Sequence, residues 1–212
     1  PIKDWVEFTN NRKNSWLINV SPIKHNSRAY QYLKYDRYIN YFENIYEGEY
    51  RKYRDGKLTY KTPVMINLNR SGDKLLGIQL RNLKHDKDRR FYKIIEFEEL
   101  YNYVHPGHPL DEVEAISYNK LSHFYNMMNV NFDRPVTIFE GYIDSVFYPN
   151  SIGLVGASND EDILKFLTEA EEELDLRFFY DNDEIGNLKA QKMIDKGFPI
   201  FLWHKFFEDM LG

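Results

Sequence analysis

FFYDNDEIGNLKA, residues 178–190, decides how the second half of the chain folds. Asp181 and Asp183 stand one residue apart, where an apolar run ends and a glycine-bearing helix is expected to begin. Two unit charges about 4 Å apart repel by roughly 4 kcal/mol at an effective dielectric near 20. Solvent, a hydrogen-bond network or a cation has to offset that repulsion. Taken alone, the pair reads as a cap on the following helix, because acids favour the positive N-terminal end.

The flanking sequence changes that reading. From Pro135 onward, short apolar runs alternate with helical patterns. VTIFEG (136–141), SIGLVGAS (151–158), LDLRFFYD (174–181) and FPIFLW (198–203) read as strands. IDSVF (143–147), DEDILKFLTEAEEEL (160–174) and IGNLKAQKMIDKG (185–197) read as helices. Strands without strict alternation, each followed by a helix, predict a parallel sheet covered on both faces. In such sheets ligands collect beyond the carboxyl ends of the strands. EGYID (140–144) puts Glu140 at the end of the first strand and Asp144 one turn further on, while Asp181 and Asp183 end a later strand. Four carboxylates on one rim suit hard cations such as Mg²⁺, which take oxygen ligands and keep positions open for phosphates. Beside EGYID, the metal reading of DND outweighs the cap.

The first half has a different grammar. RAYQYLKYDRYINYFENIY (28–46) carries Tyr35, Tyr38, Ile39, Phe42 and Ile45 at three- and four-residue steps, which predicts a helix with Ser27 as N-cap and Gly48 as its end. Turns at RDGK (54–57) and NRSGDK (69–74) are each followed by a strand, KTPVMINL after the first and LLGIQLRNL after the second. A charged loop (83–90), an extended FYKIIEF and a short helix at EELYNYV follow, and the first twenty residues show no clean period. Most tyrosines of the 30–60 run are expected in the core, with base stacking as the alternative near Tyr50 and Tyr53. The resulting division is a small basic α+β subdomain over 1–104, a connecting helix (113–128) and loop over 105–134, opened by the HPGHPLD boundary, and an α/β domain over 135–212.

Charge follows the same division. The net charge of −5 combines +10 over residues 1–93 with −15 over the remainder. A basic half joined to an acidic half suits a polyanion partner on one side and cation-binding carboxylates on the other. The chain has no cysteine, which excludes disulfides and thiolate metal sites and fits a reducing, cytoplasmic setting. No apolar run is long enough to span a membrane, so no membrane partner is expected.

Glu-Gly-Tyr-Ile-Asp, followed about forty residues later by Asp-Asn-Asp-Glu-Ile-Gly, resembles the Toprim domain. That domain is shared by bacterial and phage primases, type IA and type II topoisomerases and some nucleases. GLVGAS (153–158) is similar to the intervening strand of the primases. Upstream, YLKYDRYI (32–39) resembles the opening signature of the primase catalytic core, with Arg37 at its arginine. PVMINLNRSGDKLLGIQLR resembles the hairpin that follows, ending in Arg81, and RFYKIIEFEELYNY resembles the next element, with Lys93 at its lysine. Two positions depart from the pattern: Asn182 where primases usually carry glycine, and Asn187 where many carry arginine.

The resemblance implies the catalytic core of a bacterial- or phage-type DNA primase, a Toprim domain (Rossmann-like parallel sheet flanked by helices) behind a basic subdomain. Such an enzyme is a nucleotidyltransferase making short RNA primers on single-stranded DNA from ribonucleoside triphosphates. Glu140, Asp181 and Asp183 would be catalytic and would hold two or more Mg²⁺ or Mn²⁺ ions, with Asp144 as a further ligand or partner. Arg37, Arg81 and Lys93 would face nucleotide and DNA phosphates. No zinc is expected in this chain. Either a zinc-binding module lies outside it or template choice works differently, and a replicative helicase is a further candidate partner outside it. A Toprim nuclease that hydrolyses phosphodiesters, or a non-catalytic primase-like module that binds nucleic acid, are the alternatives.

Overall fold

Asp55 and Gly56 both adopt positive φ (51° and 72°), the backbone of a two-residue hairpin turn whose twist suits the flanking strands. They join β2 (Ile45–Arg54) to β3 (Lys57–Ser71), and Gly72 and Asp73 join β3 to β4 (Lys74–Asn82). With β1 (Leu17–Pro22) and β5 (Tyr92–Ile95) these strands form an antiparallel sheet in the order β1-β2-β3-β4-β5. The computed structural model describes residues 1–13, 15–40, 42–83, 92–154, 163–165, 167 and 174–203. The chain divides into two compact units, Pro1–His123 and Phe124–Gly212.

In the first unit one face of the sheet supplies the core. Val64, Ile66 and Leu68 of β3 and Ile78 and Leu80 of β4 are buried there with Trp5 of α1 (Ile2–Asn11) and Leu100 of α3 (Phe97–Val104). On the same face Thr62 Oγ1 donates to Asn82 Oδ1 at 2.7 Å, and on the opposite face Asn67 Nδ2 donates to Gln79 Oε1 at 2.9 Å.

The predicted helix over 28–46 is much shorter. Ser27 does cap it, its Oγ accepting from the Tyr30 N–H at 3.1 Å. However, α2 covers only Arg28–Gln31 and continues as a π-helical turn, Tyr32–Asp36, and Tyr38 sits at φ 58°. Gly48 lies inside β2 rather than at a helix end. Tyr35 and Tyr38 are exposed, while Tyr50 is in the core and cannot serve as a stacking platform. The residues before position 20, without a clean period in sequence, hold α1, which buries Ile2, Trp5 and Thr9 at helical spacing.

The helix predicted over 113–128 also ends early. α4 spans Glu112–Ser122, capped by Asp111, which accepts from the Val113 N–H at 3.0 Å. Ser122 Oγ donates to Leu76 O at 2.6 Å and Asn69 Nδ2 donates to Leu121 O at 2.7 Å. These bonds tie the helix to the first sheet, so it belongs to the first unit rather than to a separate connector. Phe124 and Tyr125, expected to be helical, form the edge strand β6 and are almost fully buried.

The second unit carries a four-stranded mixed sheet in the order β6-β8-β7-β9, with β7 (Val136–Phe139), β8 (Ser151–Leu154) and β9 (Leu176–Phe179). β7 is central and parallel to both β8 and β9, and β6 runs antiparallel to β8. A parallel core of this kind matches the sequence reading; the antiparallel edge does not appear in it. The expected last strand, 198–203, is reduced to a single parallel bridge, Phe178 to Ile200. Of the helix predicted over 160–174, residues 163–165 and 167 are helical and bury Ile163, Leu164 and Leu167; the rest lies outside the described residues. The strand predicted beyond Leu154 and the charged loop over 84–90 also lie outside them. Among the described residues, no helix is long and apolar enough to cross a membrane.

Candidate functional site

The chain leaves β7 for β8 on one side and later returns to β9 on the other, so the order reverses around β7. In open parallel sheets the crevice at such a reversal, beyond the carboxyl ends of the two strands, is where ligands bind. Glu140 is the first residue after β7, and Asp181 lies two residues after β9. The parallel ladder continues past the strand ends, with the Glu140 N–H donating to Phe179 O at 3.3 Å. Asp181 in turn donates its backbone N–H to Glu140 Oε2 at 3.3 Å. The two predicted motifs are therefore adjacent at one end of the sheet.

The DND loop is held by its own helix. Asp183 is the N-cap of α6 (Glu184–Asp195): its Oδ1 accepts from the Gly186 N–H at 2.8 Å, and its carbonyl accepts from the Asn187 N–H at 2.9 Å. The cap reading of this residue is thus realised, and it leaves Oδ2 of the same carboxylate outside that bond. A Cβ placed on Gly186 would stand 2.0 Å from Asp181 O, so the first turn of α6 lies directly on the Asp181 backbone. Asp144, on the short helix α5 (Tyr142–Ser145), sets its Oδ2 against Gly141, 2.8 Å from where a Cβ would stand on that glycine. α5 is tied to β8 through Ser151 Oγ, which donates to Ser145 O at 2.7 Å.

Substitutions at Asp183 separate its two roles. Asp183→Ala is expected to cost about 1 kcal/mol of stability by removing the cap, whereas Asp183→Asn, a comparably good cap, stays within a few tenths. Thermal denaturation of the two variants checks this. Equal losses in both would place the charge, rather than the cap, in the stabilising role.

Lys189, which the sequence reading did not select, enters the same site. Its Nζ donates to Glu140 Oε1 at 2.7 Å, with the Lys189 and Glu140 side chains 33% and 23% exposed. Both Glu140 oxygens are therefore engaged, one by an ammonium and one by a backbone N–H. In sequence Lys189 is one lysine on a helix, and only the packing of α6 against β9, the strand beside β7, gives it a partner. Among the described residues, no three His, Asp or Glu side chains stand close enough together to hold a metal ion. The donors are of the type a hard cation takes, and they are neighbours along one sheet edge, but they are not gathered around a common point.

In the first unit, Arg37 and Arg81 converge on one ring. Arg37 Nε donates to the Tyr32 hydroxyl at 2.7 Å, and the Arg81 guanidinium lies 4.5 Å from the Tyr32 ring centroid. Lys93 is not brought to them. Arg81 is paired with Tyr92 and Leu80 with Lys93, so Lys93 shares the sheet face of buried Leu80 and Arg81 points to the other. Lys93 Nζ sits 3.3 Å from Glu99 Oε1 and 5.5 Å from the Trp16 ring centroid.

No protein-family model matches the chain, and no curated protein matches it either.

Proposed function

We propose that the chain is the catalytic core of a DNA primase, with the second unit as its Toprim domain and the first as a basic, nucleic-acid-facing subdomain. The observation that carries this reading is the adjacency of Glu140 and the DND loop at the carboxyl ends of two neighbouring parallel strands, joined by the Asp181 N–H to Glu140 hydrogen bond. The order of the motifs along the chain supports it further.

On this reading Glu140, Asp181 and Asp183 hold Mg²⁺ or Mn²⁺, with Asp144 as a further ligand or as a partner of one. Such ions would activate the attacking 3′-oxygen and offset charge on the departing pyrophosphate. The chain's own residues supply position. The Asp183 cap and the Gly186 contact fix the DND loop to α6, and the Asp181 N–H sets the Glu140 carboxylate. Arg37 and Arg81 present two guanidinium groups around Tyr32, a suitable arrangement for the phosphates of a template strand or a ribonucleotide. Lys93, on the other sheet face and beside Glu99, is assigned to the structure of the first unit.

The test is incubation with single-stranded DNA template, Mg²⁺ or Mn²⁺ and labelled ribonucleoside triphosphates. Template-dependent RNA products of a few nucleotides or more are expected. Degradation of the template without synthesis would replace the proposal with a nuclease, and binding without either reaction would leave a non-catalytic module.

A further inference from the structure

We infer that Lys189 is a positioning residue that acts as an internal cation at Glu140, competing with the divalent ion for that carboxylate. The inference rests on the reading of Glu140 as a metal ligand and adds a control element to it. Three observations support it. The ammonium sits 2.7 Å from Glu140 Oε1, within the space a metal bound to that oxygen would need. The other carboxylate oxygen accepts the Asp181 N–H, so the Lys189 contact is what a cation approaching Oε1 meets. Lys189 also belongs to α6, the helix whose first turn is fixed on the Asp181 backbone, so the ammonium is placed by the same element that places the DND loop.

An ammonium and a divalent cation cannot share one carboxylate without mutual repulsion. A lysine, with a point charge on a flexible four-carbon stem, can give up the contact without moving the helix. The expected behaviour is a site kept oriented and partly neutralised at low divalent concentration, which loads only once the ion outcompetes Lys189.

The test measures Mn²⁺ binding directly, by titration calorimetry and by the loss of the free-ion paramagnetic resonance signal. It uses the full chain without nucleotide or template. Lys189→Met and Lys189→Gln both remove the charge, and Lys189→Arg keeps it. Both neutral variants are expected to bind Mn²⁺ about tenfold more tightly than the parent protein, and Lys189→Arg to stay within about threefold. Using two neutral variants of different polarity, each checked by circular dichroism, protects the result against one of them failing to fold. Asp181→Asn is the control and is expected to bind no Mn²⁺ at the site. Unchanged or weaker binding in the neutral variants, with binding still lost in Asp181→Asn, overturns the role of Lys189 and leaves the metal reading intact. No saturable binding in the parent protein or in either neutral variant overturns both.

Discussion

On the proposed primase reading, Asp181→Asn is expected to abolish primer synthesis, lowering ribonucleotide incorporation by about a thousandfold or more, while the melting temperature moves by only about 2 °C. The separation of the two effects follows from how Asp181 is held. Its N–H reaches Glu140 and its carbonyl lies under Gly186, and both are main-chain contacts that an asparagine keeps. Asparagine also nearly matches aspartate in size, so the substitution removes the charge without opening a cavity or displacing these two contacts. If Asp181 is the metal ligand proposed, it loses its function with its charge, because the neutral amide oxygen is a much weaker donor to a hard cation. Incorporation of labelled ribonucleotide on a single-stranded template, run beside a thermal melt, reads both effects at once. Activity at the parent level would remove Asp181 from the reaction. Loss of activity together with a large fall in melting temperature would make the residue structural instead.

The elements that could be read from sequence are those whose information is local. Asp55-Gly56 and Gly72-Asp73 mark turns because only a few residue types tolerate them, and the strands that follow each turn were legible, whereas β2 before the first was not. The three parallel strands of the second unit were legible for a related reason, since short, mostly apolar runs bounded by helical patterns mark buried strands. The tyrosine-rich stretch failed because two periods fit it. Tyr35, Tyr38 and Phe42 satisfy a helical spacing, yet from Ile45 the chain pairs with β3, Ile45 opposite Asn67 and Tyr50 opposite Thr62. The partner of Ile45 is 22 residues away, farther than a fifteen-residue window reaches, and that of Tyr50 is met only by folding the chain back at Asp55-Gly56.

The site was legible to the same extent. A DxD beyond a strand and an EGxxD beyond an earlier one could be assigned to a single sheet edge from the fold class alone, and β7 and β9 are neighbours. The separation of Arg81 from Lys93 could not be read, because it depends on the register of β4 against β5. A shift of one residue would exchange the faces. Lys189 was hidden for a similar reason: its partner is 49 residues earlier and on a different element.

Gly186→Ala is the second large effect, and its sign is opposite to the usual one. In an exposed helical turn, alanine in place of glycine stabilises by up to about 1 kcal/mol, since it restricts the unfolded chain and favours helical geometry. At Gly186 the added carbon would stand 2.0 Å from the Asp181 carbonyl oxygen, 2.9 Å from its carbonyl carbon and 3.0 Å from its nitrogen. All three are backbone atoms, so no side chain can rotate away and either the first turn of α6 or the DND loop has to move. The expected cost is about 3 kcal/mol, near the upper end for overpacking, or roughly 15 °C in the melting temperature of a unit of this size. The displacement also acts on the site. Moving Asp181 weakens its N–H bond to Glu140, and moving α6 shifts both the Asp183 cap and Lys189. Weaker Mn²⁺ binding should therefore accompany the loss of stability, measured at a temperature where the variant is still folded. A melting temperature at or above that of the parent protein would mean that α6 and the Asp181 backbone are not in close contact. The arrangement of Glu140, Asp181 and Lys189 built on that contact would fall with it.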